Sequence, residues 1–286
     1  MALHESVINA DFASSRTVQS GQKTVPRLNA TGASIKNATI FQQDVIQFLS
    51  GLPSESVDLI VTDPAYSGMN QHLKLGKGRI VGQYSEKGSQ GRWFDEFHDT
   101  PENYRLFLEQ CERVLKPDRH LFIMFDSYSM LTLGAMVREH FNVKNVITWD
   151  KVNIGMGHYF RRQTEFILFA CKGKRPVSRR DIPDIWKIKR LHRSPYPTQK
   201  PVELFEAMIA SSKTSEDKKF VVCDPFAGSG SAAIAALKQG VSFIGCDISS
   251  KAIDLCRSRL DTFVKDRLDI HQPKPAFDPD TQKKFW

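Results

Sequence analysis

The sequence lacks the features of a membrane or secreted protein. None of its apolar runs reaches about 18 residues, the length needed for a transmembrane helix. Residues 1–20 are polar and contain no apolar core, which argues against a signal peptide. We therefore expect a cytoplasmic protein that makes no contact with a membrane.

Cysteine is sparse, with five residues in a chain of 286, and no two of them form a CxxC pair. An odd number of scattered cysteines in apolar surroundings predicts buried free thiols in a reducing compartment. Because paired cysteine ligands are missing, no zinc site is expected and we predict no bound metal. The five residues are Cys111, Cys171, Cys223, Cys246 and Cys256.

Positive charge is the main bias of the composition. The chain has 40 Lys and Arg residues against 32 Asp and Glu, which gives a formal net charge of +8 and a pI of about 9.2. Such an excess suits a polyanionic partner such as nucleic acid, although an ordinary basic protein has the same composition.

Two basic segments are candidates for contact with phosphates. Residues 69–95 are rich in glycine and lack a periodic pattern, so a loop that closes on nucleic acid and a solvated linker both fit them. Residues 172–195 hold the densest positive charge, and there we favour phosphate contact over a solvated surface. The candidate side chains are Lys74, Lys77, Arg79, Lys87 and Arg92 in the first segment, and Arg175, Arg179, Arg180, Lys187, Lys189, Arg190 and Arg193 in the second.

Strands and helices alternate over most of the chain, which predicts an α/β fold with a doubly wound, mostly parallel sheet. Two strands without a helix between them, at residues 143–149 and 165–170, predict a terminal antiparallel hairpin on that sheet. We expect a loosely ordered tail over residues 1–35, one domain over 36–266 and a second tail over 267–286.

The first candidate site follows a buried strand at residues 57–62. This strand leads directly into Thr62-Asp63-Pro64-Ala65-Tyr66-Ser67-Gly68 and so delivers a carboxylate and an aromatic ring to its carboxyl end. In open α/β sheets ligands bind at that edge. A plain turn with an exposed aspartate is the alternative interpretation of this stretch.

The second candidate site, Asp224-Pro225-Phe226-Ala227-Gly228-Ser229-Gly230, joins a strand to a helix through a glycine turn. Glycines allow a ligand to approach the backbone, and a helix N-terminus favours an anionic group. Asp247 follows the next strand, where dinucleotide-binding folds place a ribose-binding acid. Since the chain has neither GxGxxG nor GxxxxGK[ST], we expect a nucleoside ligand without a pyrophosphate, with a purely structural turn as the alternative.

Three stretches together resemble the DNA amino-methyltransferases that use S-adenosylmethionine. Asp63-Pro64-Ala65-Tyr66 resembles their catalytic DPPY motif, and residues 224–230 match their cofactor motif DPFxGSG. Pro197-Thr198-Gln199-Lys200-Pro201 resembles their HPTQKP motif, with Tyr196 in place of the histidine. Because the catalytic motif precedes the cofactor motif, the resemblance is to the circularly permuted β group and implies a Rossmann-like methyltransferase fold over about residues 38–263.

The resemblance also implies roles for individual residues. Asp63 and the carbonyl of Pro64 would accept hydrogen bonds from an exocyclic amine, and Tyr66 would stack on the flipped base. Ala65 replaces the second proline of the family motif, which leaves one backbone angle of this loop less restricted. The residues implied for cofactor binding are Asp44, Thr198, Lys200, Asp224, Phe226, Gly228, Ser229, Gly230 and Asp247. For Thr198 and Ser229, helix capping and turn hydrogen bonds are equally good alternatives.

The implied function is site-specific methylation of the N6 atom of adenine in duplex DNA, by direct transfer after base flipping. The implied cofactor is S-adenosyl-L-methionine, and residues 172–195 would form a short target-recognition segment. Cytosine N4 is the first alternative, followed by RNA or protein glutamine, and a non-enzymatic nucleic-acid-binding protein remains a competing hypothesis. The resemblance leaves open a homodimer and a cognate restriction endonuclease.

Overall fold

A nine-stranded mixed sheet organises the protein, for which the computed structural model describes residues 32–64, 100–155, 160–192, 194–196 and 198–266. The strands are β1 (Gly32–Ile35), β2 (Ala38–Gln42), β3 (Val57–Thr62), β4 (Leu115–Phe125), β5 (Asn142–Asp150), β6 (Thr164–Lys172), β7 (Ile185–Lys187), β8 (Val221–Asp224) and β9 (Ser242–Asp247). The helices are α1 (Val45–Gly51), α2 (Pro101–Val114), α3 (Ser127–Leu133), α4 (Val137–His140), α5 (Val202–Ser212), α6 (Ser231–Lys238) and α7 (Ser250–Asp266), with a short 3₁₀ helix at Gly134–Met136.

The strand order is β1-β2-β9-β8-β3-β4-β6-β5-β7. Strands β2, β9, β8, β3 and β4 run parallel to one another, whereas β6 is antiparallel to both of its neighbours. The predicted α/β fold with a mostly parallel sheet is thereby confirmed. We call the edge where the five parallel strands end the carboxyl edge, and the opposite edge the amino edge.

Two parts of the sheet differ from the prediction. The hairpin of β5 and β6 forms, but it is not terminal, because β7 pairs in parallel with the outer side of β5. The tail predicted for residues 1–35 ends in a strand, since β1 pairs antiparallel with β2. Both added strands are short and lie at sheet edges, so neither has the long apolar pattern by which a buried strand is predicted.

The core packs against both faces of the sheet. Leu59 and Val61 of β3 join the cluster on one face, while Val57 and Ile60 join the cluster on the other. Every residue of β3 is buried, as expected of a central parallel strand covered by helices on both sides. The five cysteines are also buried and free of disulfides, as predicted.

Within the described part of the chain, no helix is both long and apolar enough to cross a membrane. The same residues contain no cluster of three or more His, Cys, Asp or Glu side chains arranged to hold a metal ion.

A buried ion cluster fixes the amino edge. Asp58, in β3, accepts a hydrogen bond of 2.9 Å from the backbone N of Val221 and contacts Arg119 at 3.2 Å. Arg119 also contacts Asp217 at 2.8 Å, and Arg175 binds the other oxygen of Asp217 at the same distance. These charges pair across β3, β4 and the segments before β8 and after β6. Arg175, predicted to contact DNA, is therefore a structural residue at the amino edge.

Asp217→Asn should destabilise the protein by about 3 kcal/mol at pH 7, because it removes one member of a buried ion cluster. Burial alone would raise the pKa of Asp217, but the hydrogen bonds from Arg119 and Thr214 outweigh it and hold the pKa well below its usual value. This stabilisation is complete above the pKa of an unfolded aspartate, about 4, and is lost as the pH falls further. The difference from wild type in urea unfolding should therefore shrink below about pH 4.

Asp261→Asn is the matched control, because Asp261 is exposed on α7 and its substitution removes the same charge. An equal loss of stability in both variants at pH 7 would contradict the assignment of Asp217 to the cluster.

Candidate active site

Three carboxylates lie together at the carboxyl edge. Asp63 follows β3, Asp224 ends β8 and Asp247 ends β9, and these strands are neighbours in the order β3, β8, β9. They line an open cleft of about 910 Å³, including its mouth. The cleft is also lined by Gln43, Asp44, Val45, Tyr196, Thr198, Gln199, Lys200, Phe205, Pro225, Phe226, Ala227, Gly228, Ser229, Ser231, Ile248 and Ser249. The two predicted sites therefore form a single site.

A glycine turn forms one wall of the cleft. Gly228 and Gly230 have φ angles of +50° and +81°, a region that side chains rarely adopt. The backbone N of Gly228 donates to Asp247 Oδ2 at 2.9 Å, and that of Ser249 donates to Oδ1 at 2.9 Å. Asp247 thus ties the turn to the end of β9. The ring of Tyr196 packs over the turn, 3.4 Å from the position of a Cβ on Gly228.

Gly230 serves packing rather than lining the cleft. A Cβ on this residue would lie 2.2 Å from the Sγ of Cys256 in α7, closer than real atoms approach. Burial raises the pKa of the Cys256 thiol to about 12, so the sulfur is a neutral, apolar neighbour. Gly230 therefore lets α6 begin directly against α7.

Ser229 is held by a buried arginine. The Arg259 guanidinium donates to the Ser229 carbonyl at 2.6 Å and to its hydroxyl at 3.1 Å. Ser231, next along the chain, donates from its hydroxyl to the carbonyl of Lys200 at 2.7 Å. These bonds join the cofactor motif to the segment around Lys200, and they support the turn-stabilising interpretation of Ser229.

Asp44 and Phe226 also line the cleft, and both have structural contacts. The Asp44 carboxylate caps α1 by accepting from the backbone N of Ile46 at 2.9 Å and of Gln47 at 3.2 Å. The half-buried Phe226 ring packs edge-on against Phe107, with their centroids 5.6 Å apart. A role in ligand binding for either residue would add to these contacts.

The most unexpected feature is a row of alternating charges that ends at Asp63. Lys200 forms a short hydrogen-bonded ion pair with Asp63 Oδ2. Its Nζ lies 3.8 Å from Glu165 Oε2, and the other oxygen of Glu165 lies 3.1 Å from the Nζ of Lys151. Neither Glu165 nor Lys151 belongs to a motif in the sequence. Glu165 begins the predicted strand 165–170, and Lys151 comes shortly after the predicted strand 143–149. These positions are the only sequence features that mark the two residues.

Carboxylates lie close together in the cleft, where burial limits their contact with water. Burial raises the pKa of Asp63, while Lys200 acts in the opposite direction and Glu165 adds to the rise. Burial also raises the pKa of Asp224 well above its usual value, and Asp63 and Asp247 reinforce this. A cationic ligand would relieve the repulsion among these carboxylates.

The structure separates the basic residues predicted for DNA contact. Strand β7 carries Lys187 to the carboxyl edge, and Lys189 and Arg190 follow it there, since Arg190 N approaches the Lys151 carbonyl at 3.5 Å. Arg175 lies instead at the amino edge, where it contacts Asp217. Arg179 and Arg180 follow Ser178, whose backbone N donates to the Ser211 carbonyl at the C-terminal end of α5 at 2.7 Å. The remaining predicted site residues lie outside the described ranges: Tyr66, Lys74, Lys77, Arg79, Lys87, Arg92 and Arg193, as do Ala65 and Pro197.

The model of a DNA methylase family, the N6/N4 methyltransferases, matches residues 57–258, more than half of the chain. This protein belongs to the N6/N4 DNA methylase family. The predicted resemblance is thereby confirmed at the level of the family. The match spans β3 to α7 and so includes Asp63, Lys200, Asp224 and Asp247.

Curated relatives agree with the family assignment of this DNA methylase. It is 29% identical to the type II methyltransferase M2.DpnII of Streptococcus pneumoniae, over 79% of this chain and 91% of that protein. It is 27% identical to the DNA adenine methyltransferase YhdJ of Escherichia coli K12, over 78% of this chain and 82% of that protein.

Solved structures show the same fold. The complex of M1.HpyAVI with SAM aligns with a TM-score of 0.57 at 21% identity, over 78% of this chain and 99% of that one. The cytosine-N4-specific PvuII DNA methyltransferase also aligns with a TM-score of 0.57, at 13% identity, over 87% of this chain and 90% of that one.

Gly230→Ala should destabilise this methylase by about 3 kcal/mol, because the added methyl both overpacks against Cys256 and strains a positive φ. Gly240→Ala is the matched control: its φ is +67°, but no atom lies within 4 Å of the added Cβ, so only the backbone strain of about 1 kcal/mol remains. Urea unfolding of the two variants measures the difference. Equal losses of unfolding free energy in the two variants would show that the contact with Cys256 does not destabilise Gly230→Ala.

Proposed function

We propose that this DNA methylase transfers a methyl group from S-adenosyl-L-methionine to the exocyclic N6 of adenine in duplex DNA, directly and after base flipping. The observation that carries the proposal is the common cleft of Asp63 and the cofactor motif. Strands β3 and β8 pair side by side, with Leu59 opposite Val222 and Ile60 opposite Cys223, and each strand ends at its candidate functional residue.

The cleft suits this cofactor in its charge and shape. The sulfonium of S-adenosylmethionine is a cation, and it would favour the ionised form of Asp224, which burial and the neighbouring carboxylates disfavour. Asp247 would bind the ribose hydroxyls, the half-buried ring of Phe226 would pack on the cofactor, and Thr198 is the proposed partner of its carboxylate. Lys200, which the family resemblance also implied for cofactor binding, is engaged with Asp63 and Glu165. When bound, the cofactor supplies an electrophilic methyl group.

The protein's part in the chemistry lies in the acceptors that it offers to the amine. The lone pair of an exocyclic amino group is delocalised into the base, so the nitrogen is a poor nucleophile. Acceptors on its two N–H groups draw the nitrogen towards tetrahedral geometry and stabilise the positive charge that develops on it. Asp63 would be one acceptor and the carbonyl of Pro64 the second. Both residues lie at the carboxyl end of β3.

Adenine is the proposed target because aspartate, rather than serine, heads the catalytic motif. One relative of this chain is named a DNA adenine methyltransferase, which supports the choice. The PvuII enzyme, similar in fold, is titled cytosine-N4-specific. Cytosine N4 is therefore the second candidate, and the same acceptors would serve either amine.

The proposed DNA surface is the carboxyl edge beside the cleft. Trp149 Nε1 donates to the Ile188 carbonyl at 2.7 Å and fixes the segment that presents Lys187 and Lys189 to solvent. Lys and Arg at such positions would bind phosphates and hold the duplex over Asp63. The cytoplasm is the proposed location, and a homodimer and a cognate restriction endonuclease remain predictions.

Asp63→Ala should lower methyl transfer about 100-fold or more while leaving cofactor affinity within about threefold, because Asp63 acts on the amine. The measurement is incubation with labelled S-adenosylmethionine and duplex DNA, followed by nucleoside analysis, with calorimetry for cofactor binding. N6-methyl-2′-deoxyadenosine supports the proposal, and N4-methyl-2′-deoxycytidine would make cytosine the target base. Label found only in RNA or protein would exclude DNA as the substrate, and the exposed Asp261→Asn is the control variant.

The double variant Lys187→Ala and Lys189→Ala should weaken DNA binding. The slope of log affinity against log salt concentration should also become less steep, by about one for each lost phosphate contact. Arg179→Ala combined with Arg180→Ala removes the same charge beside the C-terminal end of α5 and should change both quantities much less. Fluorescence anisotropy at several salt concentrations measures both. If the two double variants lose affinity equally, net charge rather than the proposed surface governs binding.

A further inference from the structure

We propose that Glu165 competes with Asp63 for the ammonium group of Lys200, and that Lys151 limits this competition, so that the two residues adjust how strongly Asp63 accepts the substrate amine. Glu165 and Lys151 are in this sense positioning residues, because they act through Lys200. The inference rests on the proposed methyl transfer and goes beyond it, since neither residue belongs to any of the three motifs.

The geometry places Lys200 between two carboxylates. Its Nζ binds Asp63 Oδ2 and lies 3.8 Å from Glu165 Oε2. No residue in the described part of the chain donates a hydrogen bond to Asp63 Oδ1, so that oxygen is available to an amine. Lys200 therefore does not neutralise Asp63 alone but divides its charge between two partners.

Lys151 occupies the far side of Glu165. Its Nζ lies 3.1 Å from Glu165 Oε1, and its side chain is as buried as that of Lys200, with 11% and 12% exposed. Because each Glu165 oxygen has its own lysine, strengthening one contact weakens the other. Strands β5 and β6 fix this arrangement, since Asp150, next to Lys151, pairs with Thr164, next to Glu165.

The other charges around Asp63 have separate partners. Asp126, at the end of β4, accepts hydrogen bonds from the backbone N of Tyr128 at 2.7 Å and of Ser129 at 3.0 Å, and so caps α3. Asp224, at the end of β8, accepts from the backbone N of Phe226 at 3.0 Å. Among the described residues, Lys200 is thus the cation that contacts Asp63, and Glu165 is the group that draws it away.

Opposite effects follow from neutralising the two positioning residues. Without the charge of Glu165, Lys200 forms an ion pair with Asp63 alone. The Asp63 carboxylate is then harder to protonate and is a weaker hydrogen-bond acceptor for the substrate amine. Without the charge of Lys151, Glu165 binds Lys200 more strongly, and the Asp63 carboxylate is less stabilised. Burial already raises the pKa of Asp63, which brings its titration nearer to the range where the enzyme can be assayed.

The test is the pH dependence of single-turnover methylation of duplex DNA by Glu165→Gln and Lys151→Gln, with cofactor and DNA saturating. In Glu165→Gln, the acid limb of the pH–rate profile, where the rate falls at low pH, should lie about 0.5–1 pH unit lower. The pH-independent rate above that limb should be about fivefold lower. Lys151→Gln should move the acid limb up by a similar amount. The same opposite shifts should appear in a ¹³C titration of the Asp63 carboxyl in the free protein, which does not depend on turnover.

Matched controls are Glu109→Gln on α2 and Lys144→Gln on β5, which remove the same charges from exposed positions and should leave both limbs unchanged. Circular dichroism checks that each variant is folded, and if one variant does not fold, the shift of the other decides. Acid limbs that stay in place, or that move in the same direction in both variants, would overturn the inference. If the wild-type protein methylates no DNA, the proposed function itself is wrong. If the variants are active and their pH–rate profiles match that of the wild type, only the role of Glu165 and Lys151 is wrong.

Discussion

The parallel pairing of β3 with β8 is the constraint on which the site depends. Asp63 directly follows β3 and Asp224 ends β8, and the pairing sets the two carboxylates side by side although about 160 residues separate them in the chain. Neither stretch forms a cleft alone. Asp63 and the glycine turn line one cleft because the central strands of a doubly wound sheet end at the same edge.

Charge in the cleft is balanced unevenly. Three carboxylates converge at the carboxyl edge, and Lys200, the cation that contacts one of them, is shared with Glu165. At the amino edge the balance is different, because Asp58 and Asp217 are matched there by Lys116, Arg119 and Arg175. The sheet thus has an amino edge where paired buried charges stabilise the fold, and a cleft at the carboxyl edge where Asp63 and Glu165 share one lysine.

The sequence predicted the parts of the molecule that are encoded by local pattern. The apolar run of β3 and the glycine turn after β8 each carry their own signal, so the fold class and most of the cleft lining could be found. The edge strands β1 and β7 could not, because Gly32–Ile35 and Ile185–Lys187 owe their strand conformation to a neighbour. The sequence also did not predict which side chains pair with Lys200. The pairing of Lys200 with Asp63 and Glu165 depends on tertiary contacts across more than 30 residues of sequence, which no spacing rule encodes.

The same limit applies to Arg175, Arg179 and Arg180, for which contact with DNA stays a prediction. Density of positive charge along the chain does not tell which edge of the sheet a residue occupies, and the segment between β6 and β7 crosses from one edge to the other. Lys187 lies only twelve residues after Arg175 yet reaches the carboxyl edge, because β7 runs parallel to β5.

The contact between β2 and β9 has a consequence for how the enzyme is made. Gln43 donates its backbone N–H to the Asp247 carbonyl at 3.0 Å, so the wall of the cleft that contains Asp44 is closed by one of the last strands to be synthesised. During translation β2 leaves the ribosome early and has no parallel neighbour until β9 follows. A nascent chain therefore contains Asp44 and Asp63 before β9 can complete this wall of the cleft.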